Sequence, residues 1–142
     1  MQHGFTLVDT LMALGIMTAI TALALPNYFA MRSNLILKDQ VVSMVEIMRV
    51  ARNRTVASQG GLAYGVSFES DHYVLFGGDP IAPQDTTVYP LINKVEVLEG
   101  SGTYVLFDRF TASANETEIE LGFPSGVSRR IRIDAIGNIS LL

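Results

Sequence analysis

Residues 5–31 read FTLVDTLMALGIMTAITALALPNYFAM. Nineteen of these 27 side chains are apolar, and Asp9 is the only charge among them. As a helix the stretch rises roughly 40 Å, enough to cross a hydrocarbon core about 30 Å thick. Outside it the chain is ordinary: 49 of the 111 residues from 32 to 142 are apolar, the proportion of a water-soluble domain. The composition therefore predicts a single-pass membrane segment or a secretion signal followed by a soluble body.

The full chain of 142 residues has room for one small domain with an appendage, which excludes a multi-domain enzyme. Cysteine is absent, so there is no disulfide framework, thiolate metal site or cysteine nucleophile. The net charge of −4 argues against generic attraction to phosphate backbones. Charge is also partitioned along the chain. Residues 32–54 carry Arg32, Lys38, Arg49, Arg52 and Arg54 against Asp39 and Glu46, a net +3, whereas residues 55–142 carry five basic and eleven acidic side chains.

Beyond Met31 the helical period continues. Leu37, Val41, Met44, Val45, Met48 and Ala51 recur at spacings of three and four and form one apolar stripe. Neither Pro nor Gly interrupts residues 27–59, and Gly60-Gly61 ends the run, so one helix is expected from about Phe5 to about Ser58. Its first half has to lie in lipid or among partner helices, and its second half offers the stripe to a β-sheet. After Gly61 the period falls to two. Strands are expected at Leu62–Phe68, Tyr73–Phe76, Leu91–Leu98, Thr103–Phe107, Thr117–Phe123, Val127–Ile133 and Asn138–Leu142, with a long loop over Gly77–Pro90. The fold class is α+β: a long N-terminal helix, half transmembrane, with a small antiparallel β-sheet domain packed on its C-terminal half. The expected divisions are 1–4, 5–31, 32–59 and 60–142.

The N-terminal letters Gly4-Phe5-Thr6-Leu7-Val8-Asp9 follow only Met1-Gln2-His3. This resembles the processing signal of type IV prepilins and type II secretion pseudopilins, in which a short leader ends in Gly before Phe-Thr-Leu, an acidic residue and an apolar helix. Pro26-Asn27-Tyr28 is similar to a Pro-x-Tyr common in that family. Further on, Phe123-Pro124-Ser125-Gly126 and Ile136-Gly137-Asn138-Ile139 resemble the H-type pseudopilin and FimT-like minor pilin group. The family's acidic residue is usually Glu where this chain has Asp9, and its leader usually carries Lys or Arg where this one has His3. The resemblance implies cleavage between Gly4 and Phe5 by a prepilin peptidase, N-methylation of Phe5, and assembly with other pilin or pseudopilin subunits through a helix containing Asp9 and Pro26. It also implies a bacterial inner-membrane, single-pass protein with its globular part outside the cytoplasm. That orientation comes from the resemblance, because Arg32 and Lys38 after the apolar run favour the reverse by the positive-inside count.

The chemistry at the junction follows from charge. A carboxylate at membrane depth costs about 2.5–3.5 kcal/mol. An α-ammonium about 4 Å away returns about 4 kcal/mol at an effective dielectric near 20. Asp9 is thus expected to register one subunit against the amine of its neighbour; the plain alternatives are that it is protonated or reaches the interface. Pro26 removes one helical hydrogen bond and permits a bend or local melting, or is a gentle kink without function.

Nothing else points to catalysis, a cofactor or a metal, and no enzyme activity is expected. His72 has no second histidine or cysteine near it in sequence and reads as a surface residue. Asp79 and Asp85 flank a Gly/Pro-rich loop with too few ligands for calcium. Three rival readings stay open: a β-domain released by ordinary signal cleavage after Ala22-Leu23-Ala24, a single-pass anchored domain that does not polymerise, and a minor pilin binding nucleic acid through Arg129, Arg130 and Arg132. For those arginines the residue parity offers a structural role. Pairing Phe123 with Val127 across the turn sets Glu120 opposite Arg130 and Glu118 opposite Arg132, a ladder in which each opposed pair contributes roughly 0.2–1 kcal/mol. Arg129 has the parity of the core face and is expected to sit at the sheet rim or to bend away.

Overall fold

The computed structural model describes residues 6–124 and 126–142. One helix, α1 (Leu7–Val56), is followed by a short 3-10 turn (Gln59–Gly61) and eight strands: β1 (Tyr64–Phe68), β2 (His72–Gly78), β3 (Pro83–Pro90), β4 (Glu96–Glu99), β5 (Thr103–Leu106), β6 (Thr117–Gly122), β7 (Ser128–Ile133) and β8 (Ile139–Leu141). The chain forms two compact units, Met1–Leu35 and Ile36–Leu142. The second unit is the α+β body: the helix residues from Ile36 onward packed against two antiparallel four-stranded sheets, ordered β3-β2-β1-β5 and β4-β6-β7-β8.

The stripe legible in the sequence is the helix face that this body buries. Leu37, Val41, Met44, Val45, Met48 and Ala51 are all buried. They meet Val66, Phe68, Val105 and Phe107 from the first sheet and Ile119, Leu121, Ile131 and Ile133 from the second. The apolar residues alternate along β6 and β7, so one face of each strand enters this core and the other carries charge. The first sheet closes tightly on itself. A Cβ at Gly65 would stand 2.6 Å from the Phe76 ring, so only glycine lets Phe76 lie across β1 at this point.

The helix ends in backbone that only glycine adopts freely. Gly60 and Gly61 have φ of 61° and 70°, and the chain reverses there into β1. A buried side chain locks the reversal. Thr55 Oγ1 donates to the Ala51 carbonyl at 2.9 Å and accepts the Tyr64 N–H at 2.8 Å, joining the last turn of α1 to the first residue of β1.

The strand reading needs three corrections. The span Gly77–Pro90, expected as a long loop, contains β3, paired with β2 from His72↔Pro90 to Gly78↔Pro83. β3 is an edge strand with almost every side chain exposed, so it lacks the apolar alternation that marks a half-buried strand. Its two prolines sit at its ends, where a sheet edge tolerates them. The strand expected from Leu91 begins only at Glu96, because Asn93 and Lys94 take left-handed φ of 60° and 63° and turn the chain first. The strands form two sheets rather than one.

Thr55→Val keeps the shape of the side chain and leaves the buried Tyr64 N–H without an acceptor. It should lower unfolding stability by about 1–3 kcal/mol, read by urea denaturation of the detergent-solubilised chain, and Thr55→Ser should recover most of that loss.

Candidate functional site

Every side chain described between Leu7 and Met31 is exposed. This segment belongs to the one helix, among the described residues, that is long and apolar enough to cross a membrane. Its threonine hydroxyls are bonded internally. Thr10, Thr18 and Thr21 donate their hydroxyls to the carbonyls of Leu7, Gly15 and Met17 at 2.8–2.9 Å. The threonines therefore present methyl groups outward and leave no hydroxyl proton in need of water.

At the start of the helix Thr6 and Asp9 form a reciprocal cap. Thr6 Oγ1 accepts the Asp9 N–H at 3.3 Å, while Asp9 Oδ2 accepts from Thr6 Oγ1 at 2.7 Å and from the Thr6 N–H at 3.1 Å. This is the capping-box arrangement with an aspartate at the third helical position. It draws the carboxylate back toward the beginning of the chain. Thr6 had no role in the sequence reading beyond its place in the motif, although Thr-x-x-Asp ahead of an apolar run is itself a capping signal. Gly4 and Phe5, the expected cleavage pair, lie outside the described residues. The backbone at position 26 continues within α1.

The arginine cluster lies on the outer face of the second sheet. The register sets Glu118 opposite Arg132 and Glu120 opposite Arg130, as the turn arithmetic requires. Arg130 Nε donates to Glu120 Oε2 at 2.8 Å, with Glu118 at 3.7 Å and Glu99 at 4.0 Å. Arg132 departs from the simple ladder. Its short contact is to Glu116 at 2.8 Å, one step along the same face, and its Nε lies 3.4 Å from Asp134. Arg129 stands opposite Leu121 near the start of β7, is exposed, and makes no ion pair among the described residues. The two even-numbered arginines are thus matched by carboxylates and the third is not.

The remaining candidates resolve into local structure. His72 Nδ1 lies 2.6 Å from Asp71 Oδ1, and this contact holds the Asp71 carboxyl below the usual range. Asp79 Oδ1 accepts the Ile81 N–H at 2.8 Å, and Asp85 is 4.0 Å from Arg54. Among the described residues no three His, Cys, Asp or Glu side chains group as metal ligands. An open groove of about 540 Å³ runs between β5 and the segment Asn115–Glu118. Asn115 closes its floor by acting as a strand neighbour: Oδ1 accepts the Leu106 N–H at 2.9 Å and Nδ2 donates to the Tyr104 carbonyl at 2.6 Å.

The loop after β5 is held by a single carboxylate oxygen. Asp108 Oδ1 accepts from the N–H of Phe110, the N–H of Thr111 and the Thr111 hydroxyl, each at 2.9 Å. Asp-Arg-Phe-Thr carries no periodic or compositional mark that would single it out. No protein-family model, curated protein or solved structure significantly matches the chain.

These three hydrogen bonds, those from the two backbone N–H groups foremost, lower the Asp108 pKa. A carboxylate lowered in the folded state stabilises it above the ordinary Asp range, and that stabilisation is lost as pH falls through the folded value. The stability difference between the wild-type chain and Asp108→Ala should therefore be full at neutral pH and shrink on acidification below about pH 4, measured by denaturation across a pH series.

Proposed function

We propose that this chain is a pilin-like structural subunit, cut between Gly4 and Phe5 and assembled through residues 5–31 into a type IV pilus or a type II secretion pseudopilus. The observation that carries the reading is the helix from Leu7 to Met31: apolar, exposed along its described length, with its threonine hydroxyls closed internally and one carboxylate at its first turn. Lipid covers such a surface in the free subunit, and the same surface on neighbouring copies covers it in a filament. The body formed by Ile36–Leu142 has its own core and does not need this segment to bury its stripe. In this reading the protein is a single-pass inner-membrane protein with the body outside the cytoplasm.

Asp9 supplies the selectivity of assembly. Its carboxylate already accepts two hydrogen bonds from Thr6, which leaves lone pairs for a third donor. The Thr6 cap aims it toward the chain start, where cleavage after Gly4 creates a new amine, and a neighbour's amine at that position completes the site. Arg130 and Arg132, matched by carboxylates, have little charge left for phosphate, which weighs against the nucleic-acid reading.

Mass spectrometry of the mature protein tests the processing: the chain should begin at N-methylated Phe5. A start at Leu25 would instead identify a secreted β-domain and overturn the pilin reading.

Asp9→Ala should leave membrane insertion intact and reduce incorporation into filaments, read in cells that carry the other subunits, whereas Asp9→Glu should be close to neutral. Normal incorporation of Asp9→Ala would remove the pairing role.

A further inference from the structure

The surface of α1 changes character at the end of its apolar run. Tyr28, Phe29 and Met31 are 61%, 56% and 65% exposed, and the Tyr28 and Phe29 rings meet edge to face with centroids 5.8 Å apart. The next three residues, Arg32-Ser33-Asn34, are polar. Asn34 closes its amide on the helix, with Nδ2 donating to the Ala30 carbonyl at 3.0 Å. Arg32 does not close on anything: it is exposed and makes no ion pair among the described residues.

Its place on the helix explains this. Side chains three and four residues away are neighbours on a helix surface. For Arg32 these are Tyr28, Phe29, Leu35 and Ile36, none of them acidic. The nearest carboxylate along α1 is Asp39, about 10 Å away along the axis, which is a Debye length or more in physiological salt. Asp39 also stands beside Lys38 in sequence, so it has a cation of its own to answer. Arg32 therefore differs from Arg130 and Arg132, whose charges are met by carboxylates. No charge intervenes between Asp9 and Arg32. That stretch rises roughly 35 Å, so a helix crossing a hydrocarbon core about 30 Å thick carries Arg32 into the headgroup layer. Aromatic rings followed at once by a cation are the pattern of a membrane–water boundary, the rings lying at the ends of the acyl chains and the cation among the phosphates.

We propose that Arg32, with Tyr28 and Phe29 one turn below it, binds the headgroup phosphate of an anionic phospholipid. The guanidinium is a planar fork of donors that fits two phosphate oxygens at once. A zwitterionic lipid brings its own ammonium group to its phosphate, whereas an anionic lipid leaves the phosphate charge to the arginine. The contact also holds the depth of α1 in the free subunit. This inference rests on the membrane reading above and deepens it by naming the lipid class that this end of the span selects.

Tryptophan is absent from the chain, so Tyr28→Trp places a single indole at the boundary. The full-length Tyr28→Trp protein is reconstituted into vesicles of phosphatidylcholine and phosphatidylglycerol, with one lipid at a time carrying bromine on its acyl chains as a contact quencher. Bromine near the glycerol end should quench more strongly than bromine near the methyl end. Phosphatidylglycerol should be favoured beside the indole roughly fivefold, the selectivity of one cation at a membrane surface. Adding Arg32→Gln should bring the two lipids to parity, Arg32→Lys should keep the preference, and Lys38→Gln should leave it unchanged. All these positions are exposed, so the fold is retained, and circular dichroism of each form checks this. Parity in the Tyr28→Trp protein itself, or a preference that survives Arg32→Gln, overturns the contact and leaves the membrane reading standing. Quenching strongest at the methyl end does the same, since it puts Tyr28 in the hydrocarbon interior. An indole that no brominated lipid quenches overturns both.

Discussion

The chain itself covers only one stripe of α1. From Leu37 to Ala51 the helix buries its apolar stripe against two sheets, and from Leu7 to Met31 every described side chain is exposed. A fully apolar helix of that length in water would expose far more hydrophobic surface than soluble monomers tolerate. The first segment thus needs a solvent other than water, and the second needs the β-domain. A single helix answers to two environments, and the change comes where the compact body begins, at Ile36.

The C-terminal end of the helix is firmly fixed to the body. Thr55 joins α1 to β1 in the core, and the glycines after it reverse the chain at once. Once β1 is placed, β2 and β5 pair on either side of it, and the first sheet follows. The second sheet is tied to the first through the crossing from β4 to β5 and the Phe107–Ala114 bridge. Each sheet contributes one apolar face to the same helix stripe, so neither has to bury a core alone. This suits a domain of this size, in which little apolar surface is available to each element.

Most of the helix was legible because its signal is long and periodic: six stripe residues at spacings of three and four all proved buried. The β6–β7 register was legible for a related reason. A period of two puts Ile119, Leu121, Ile131 and Ile133 on one face, and pairing Phe123 with Val127 across the turn then selects the register that sets the charges opposite one another. The same logic could not place Arg132 on Glu116, because a long side chain reaches diagonally as well as straight across. Nor could it find β3, since an exposed edge strand shows no alternation; Thr86, Thr87, Val88 and Tyr89 were its β-forming signal. The Asp108 loop and the Thr55 clamp depend on contacts made only after folding, and single hydroxyls or carboxylates carry no periodic mark.

The energetics of Asp9 bear most directly on why such a chain would associate. At membrane depth the carboxylate costs about 2.5–3.5 kcal/mol. The Thr6 cap returns about 1 kcal/mol, and its place in the first helical turn, beside the positive end of the helix dipole, returns roughly 0.3–1 kcal/mol more. Both terms are local and act equally in a lone subunit. They leave a deficit of roughly 1–2 kcal/mol by the same scales, too small to prevent insertion and large enough to bias what the inserted helix does next. A cation from a neighbour removes the deficit, whereas further apolar contact does not. In the proposed assembly the apolar surface from Leu7 to Met31 could pack with any apolar helix, but only a partner bringing positive charge to the level of Asp9 would relieve the carboxylate, so the register of the proposed bundle would follow from one side chain.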